Sequence, residues 1–191
     1  MTKPAPSSTP KLPVSLAANP VLSSWVRVSS EGQVMISPGK VEIGQGIVTA
    51  LAQIAADELD VDISRVHMIR PSTAASPNEG VTSGSLSVQQ SGRAIRHACA
   101  EIRQIFLDAA SDRLGVRSNA LDVKDGTISG PGNVSTSYWE SSPRRPSWIV
   151  MPRQARRPRN RRSATLPAVR SRGWIFPTRF SPAPASFTIS R

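Results

Sequence analysis

A chain of 191 residues with one cysteine and a formal net charge of +11 can hold a single domain with a real core, or a smaller domain with a tail. It cannot build a disulfide framework or a cysteine-based metal site. The charge alone points to nucleic acid or a membrane surface, but residues 1–140 carry 12 Lys and Arg against all 13 acids, while residues 141–191 carry 12 Arg, no Lys and no acid. A nearly neutral domain and a basic tail therefore need separate explanations.

Residues 1–20 are rich in Pro and Ser, contain no apolar signal-peptide run, and read as a flexible leader. No stretch approaches the length of a membrane span, so a soluble, reducing, cytoplasmic setting is expected. Residues 25–28 and 33–37 alternate around Ser-Glu-Gly and predict a β-hairpin. Ile47, Leu51, Ile54 or Ala55, and Glu58/Leu59 share one helical face, which predicts a helix over 47–59. Residues 65–69 read as a strand. The aperiodic run RPSTAASPNEGVTSGSLS is a long loop, of the kind that carries function when it lies inside a compact domain.

A second helix is expected over about 87–114, with Val88, Ile95, Cys99, Ile102, Phe106, Ala109 and Leu114 along its stripe and Gly115 as the stop. LDVKDGTIS predicts a hairpin turning on Asp-Gly. Ser-Tyr-Trp-Glu at 137–140 has the form of a capping box, but Ser-Ser-Pro-Arg-Arg-Pro follows where the helix should run. The fold class is thus α+β: short strands and hairpins with two main helices over residues 21–140, and an Arg/Pro-rich tail over 141–191. The tail's eight prolines and sparse apolar residues predict disorder, with Trp148 and Trp174 exposed.

Each predicted helix is approached through a small-residue loop: Gly44-Gln45-Gly46 for the first, Thr82-Ser83-Gly84-Ser85 for the second. Free N–H groups and the helix dipole favour anions at such helix starts, and glycine lets a ligand approach the backbone. The Gln45 amide presents a donor and an acceptor side by side, which suits the edge of a heterocycle. Two such loops would serve a dinucleotide-like cofactor. Local pattern alone favours ordinary structural turns, with Ser85 a simple N-cap, over a ligand site. Neither loop has the spacing of a P-loop or of Gly-x-Gly-x-x-Gly.

The remaining candidates read as structural. His67 is an ordinary sheet residue, His97 flanks the second helix's stripe, and Cys99 is a small core residue. Asp57, Glu58, Asp60 and Asp62 read as a solvated acidic edge. No metal ligands and no catalytic residue are assigned.

The run GKVEIGQGIVTALAQIAADELDVDISRV, followed by SPNEGVTSGSLSVQQSGRAIRHACAEIRQIFLDAA and DGTISGPGNVSTSYWE, resembles the molybdopterin-binding large subunit of the xanthine dehydrogenase/aldehyde oxidase family. It is most similar to the isoquinoline 1-oxidoreductase and nicotinate dehydrogenase branch. The resemblance covers about residues 20–140. It implies that Gly44, Gln45 and Gly46 approach the pterin and phosphate of a molybdopterin dinucleotide, and that Thr82, Ser83, Gly84 and Ser85 lie along its phosphates. It further implies hydroxylation of an N-heterocycle or an aldehyde with oxygen from water. A separate small subunit with two [2Fe–2S] clusters would take the electrons, and a glutamate from a far C-terminal region would act as general base. The matching positions here include no such glutamate, so this chain is expected not to hydroxylate a substrate by itself.

The tail departs from the family. Shifted by one base, the codons of Trp148-Ile-Val-Met-Pro can read Leu-Asp-Arg-Asp-Ala. Those of the run beginning at Trp174 can read like the family's linker into its next domain. An out-of-frame tail is the expectation, and the rival reading is an Arg-rich arm that contacts nucleic acid.

Overall fold

The computed structural model describes residues 12–141, all within the first of two units of the chain, Met1–Arg159. The expectations for residues 1–11 and 142–191, including the exposure of Trp148 and Trp174, lie outside the described residues. The expected leader ends earlier than residue 20. Val14–Ala18 forms a one-turn helix, α1, because Leu16 finds a place in the core at 1% exposure.

The first hairpin forms as expected: β1 (Val26–Val28) pairs antiparallel with β2 (Val34–Ile36). The long helix α2 spans Ile47–Leu59, and β3 (Val66–Met68) returns parallel to β2, with Val34 opposite Val66. Parallel neighbours need a crossover, and α2 supplies it. The second helix begins with a π-type turn at Val88–Gly92 and continues as α3, Arg93–Leu114. Gly115 ends it in the left-handed conformation at φ 66°.

Strands β4 (Asp122–Lys124), β5 (Thr127–Gly130) and β6 (Val134–Ser137) form an antiparallel meander. Asp125 and Gly126, both at positive φ, make the expected Asp-Gly turn. The capping box also forms in part: the Glu140 N–H donates to Ser137 Oγ at 3.2 Å, and one helical turn follows, α4 (Tyr138–Ser141).

The core joins all these elements through Trp25, Leu51, Leu59, Ile95, Phe106, Ile128 and Tyr138, each fully buried. Two apolar positions expected on the α3 stripe are not in it. Val88, in the wider π turn, is 50% exposed, and Ala109 is exposed because the step of four from Phe106 buries Ala110 instead.

The expectation of a solvated acidic edge is corrected at two positions. Glu58 is 2% exposed and accepts from Arg96 at 3.1 Å, and Asp60 pairs with Arg103 at 3.2 Å. Helical spacing turned these carboxylates toward α3, whose arginines meet them. Cys99 is buried as expected, and burial raises its thiol well above the ordinary range. His67 is an exposed residue of β3. Partial burial beside Arg93 and Arg96 holds His97 below the usual imidazole value.

Tyr138 closes the core. Its ring stacks on Phe106 with centroids 4.7 Å apart, and its hydroxyl donates to Leu59 O at 3.0 Å. Tyr138→Phe leaves that buried carbonyl without its donor, and urea unfolding should show a loss of about 1–3 kcal/mol.

Candidate functional site

Both small-residue loops lie at one end of the domain, and helix packing puts them there. A Cβ on Gly92 would sit 3.0 Å from Ile54 Cδ1 and 3.6 Å from Leu51 Cδ2. Further on, Arg96 meets Glu58 and Arg103 meets Asp60. These contacts advance in the same direction along both helices, so α2 and α3 run parallel and share one N-terminal end.

The first loop is exposed from residue 41 to residue 46. Gly44 and Gly46 adopt φ 98° and 72°, and nothing lies within 4 Å of where their Cβ atoms would be. Glycine is needed there for its backbone conformation, and the space above it stays open.

Sequence reasoning missed the residue that organises this loop. The Glu42 carboxylate accepts from the N–H groups of Gly44 (2.8 Å), Gly46 (3.0 Å) and Val48 (3.2 Å). An anion therefore already sits on the start of α2, and it belongs to the chain itself. The clue in the sequence was an acid two and four residues ahead of the two glycines, within reach of their amides.

Gln45 is also engaged within the loop. Its Oε1 accepts from the Ile43 N–H at 2.6 Å and its Nε2 donates to Val41 O at 2.9 Å. Pairing of this amide with a heterocycle requires those bonds to exchange.

The second loop turns on three positive-φ residues, Gly80, Gly84 and Ser85. Thr82 is half-buried, while Ser83, Gly84 and Ser85 are exposed. Ser85 is not the N-cap: the first helical hydrogen bond runs from the Gln90 N–H to Leu86 O, and no side chain caps the turn.

The two loops are joined just before each begins. Val41 N–H donates to Thr82 Oγ1 at 3.0 Å. Lys40 Nζ donates to Glu79 O and Val81 O, both at 2.8 Å, and the Gly39 N–H donates to Glu79 Oε2 at 2.9 Å. A Cβ on Gly39 would collide with the Pro77 carbonyl oxygen, so only glycine fits. A cleft of about 440 Å³ opens beside this junction, lined in part by Val41, Ser72, Thr73, Glu79 and Thr82. Val81, on the wall of the cleft, is 78% exposed, and Ile43 in the first loop is 71% exposed.

The Val48 N–H, followed by those of Gly46 and Gly44, holds the Glu42 carboxyl below its ordinary value. A depressed carboxyl contributes order above its ordinary value and loses that contribution as pH falls through the lowered one. In an acid titration followed by ¹⁵N NMR, the amides of Gly44, Gly46 and Val48 should shift together, with a midpoint below that of a free glutamate. Glu42→Gln should abolish the shared transition.

A family model described as "Molybdopterin cofactor-binding domain" matches residues 7–162. A nicotinate dehydrogenase subunit of Pseudomonas putida is 38% identical over 119 residues, which is 62% of this chain and 10% of that protein. Xanthine dehydrogenase of Blastobotrys adeninivorans is 28% identical over 118 residues, covering 62% of this chain and 8% of that one. Among solved structures, CO dehydrogenase from Oligotropha carboxidovorans superposes with a TM-score of 0.54 at 26% identity, over 60% of this chain and 15% of that one. The chain thus spans about a tenth of the length of the curated relatives it matches. With a family match across most of its length and two glycine-bearing helix starts tied side by side, the chain belongs to the molybdopterin cofactor-binding domain family.

Proposed function

We propose that the chain contributes part of the cofactor cradle of a molybdenum-dependent oxidoreductase, and that its two joined loops hold a molybdopterin dinucleotide. The observation that carries this reading is the direct tie between Val41 and Thr82, which sets two ligand-type loops beside each other in a member of this family. The residues fit such a group in kind. Gly44 and Gly46 leave open space above the backbone. The amides at the start of α2 already donate to a carboxylate. Exposed Ser83 and Ser85 add hydroxyl donors next to a helix start.

In this reading Gly44, Gln45 and Gly46 orient the pterin end, and Thr82, Ser83, Gly84 and Ser85 follow the phosphates. The bound cofactor supplies the oxidation chemistry, and the protein's share is to bind and orient. The substrate is an N-heterocycle or an aldehyde, as the names of its relatives suggest. The electrons leave through a [2Fe–2S] partner subunit, and the rest of a large subunit completes the site. None of the described residues is assigned a proton-transfer role. Among the described residues no helix is long and apolar enough to cross a membrane. Neither the fold nor the relatives support the nucleic-acid arm, which rests on residues outside the described ones.

The test is retention rather than turnover. The chain is produced in a host that makes molybdenum cofactor, and bound pterin is measured by fluorescence after oxidation. Pterin should co-purify with the parent chain and fall at least about tenfold in Gly46→Val and in Gly84→Val, which add bulk at left-handed positions. Equal pterin in the parent and both variants would remove the two loops from the binding site.

A further inference from the structure

We propose that Lys40 is a positioning residue whose buried ammonium sets the spacing of the two loops. This rests on reading the loops as one ligand site. Lys40 is 3% exposed, and a buried ammonium is costly unless its donors are met. It forms no ion pair among the described residues. Its partners are two main-chain carbonyls, Glu79 O and Val81 O, both at 2.8 Å. They flank Gly80, which stands at φ +66°. One cation therefore gathers two carbonyls around a left-handed glycine and fixes the path of the chain into Thr82.

The contacts on either side of Lys40 follow the same plan. The N–H of Gly39 reaches Glu79 Oε2, and the N–H of Val41 reaches Thr82 Oγ1. Three successive residues thus bind one short segment, the outer two by their amides and the middle one by its side chain. On one strand the tie stops at Val41, next to Glu42 and the Gly-Gln-Gly loop. On the other it stops at Thr82, the first residue of the second loop.

Close to this junction Glu79 Oε1 is buried without a hydrogen-bond partner. A neutral side chain of the same length would fill the space of Lys40 but would release both carbonyls.

The helices hold together through other residues, among them Gly92 with Leu51 and Ile54 and the Glu58–Arg96 and Asp60–Arg103 pairs. Loss of the ammonium should therefore loosen the loops and leave the helix pair intact.

Amide hydrogen exchange in the ligand-free 191-residue chain tests this. In Lys40→Met, residues 41–46 and 79–85 should exchange about tenfold faster or more, as expected when hydrogen bonds to a charged group are lost. Amides at Leu51 and Ile102 should keep the parent rate. Alkylating Lys40→Cys with bromoethylamine in denaturant, in a Cys99→Ala background, and refolding rebuilds an ammonium of nearly the original reach and should restore slow exchange, since both positions are buried in the folded chain. If Lys40→Met fails to fold, the reagent-free Lys40→Cys chain is compared with its alkylated form.

Unchanged loop exchange, acceleration spread equally over α2 and α3, or no recovery after alkylation would each overturn the proposal. Thr82→Val removes only the Val41 tie and should give a smaller effect in the same segments; additivity with Lys40→Met would argue against a shared clamp. Pterin retention is read separately. A parent chain without pterin defeats the cofactor reading, while ligand-free exchange still decides the role of Lys40.

Discussion

The parallel packing of α2 against α3 determines where everything else in this domain sits. Antiparallel helices would send their N-termini to opposite ends and separate the two loops by the length of α2. Gly92 allows the close approach at the start. Farther along, two ion pairs of different character maintain the alignment. Arg96–Glu58 matters most as a constraint, because Glu58 is almost wholly buried and a carboxylate in that position tolerates few other arrangements. Removing Arg96 would leave the buried Glu58 charge without this partner, which costs more than the pair itself contributes.

The Glu42 contacts change how the start of α2 should be understood. A glycine-bearing helix start is usually read as an empty anion site. Here the chain's own carboxylate engages three of its amides. This stiffens the loop, and it also lowers the positive potential that an incoming phosphate would meet. The exposed second loop has no such internal acid on its amides among the described hydrogen bonds. The two helix starts, both entered through small residues, are therefore electrostatically different.

Much of this architecture was legible in the sequence, and the reason lies in periodicity and turn chemistry. The stripe from Ile47 to Leu59, the Asp-Gly turn at 125–126 and the Gly115 stop each announce themselves within a few residues. The parallel pairing of β2 with β3 did not, because it depends on contacts between segments some 30 residues apart, and no local pattern encodes them. The π turn was hidden for a related reason: Val88 fits an ordinary helical stripe until tertiary packing widens the turn. At the site, small residues marked both loops. Lys40 and Glu79, which tie them, and Glu42, which organises the first, carry no local pattern that marks these roles. Whether a charge is buried is a property of the assembled fold, and Glu58 and Asp60 were misread on the same grounds.

Tyr138 sits near the end of the described fold but at the centre of its core, stacked on Phe106 and hydrogen-bonded to the last residue of α2. This has a consequence for the order of events during synthesis. At translation rates of about 5–20 residues per second, roughly 7–28 s pass before this side chain is made. The ribosomal tunnel delays its appearance further. For that interval α2, α3 and both sheets' early strands can associate, but the carbonyl of Leu59 and the face of Phe106 still lack their partner. The nascent chain therefore carries an open, partly apolar seam until Tyr138 of α4 arrives, and a pause upstream of residue 138 would lengthen that exposure.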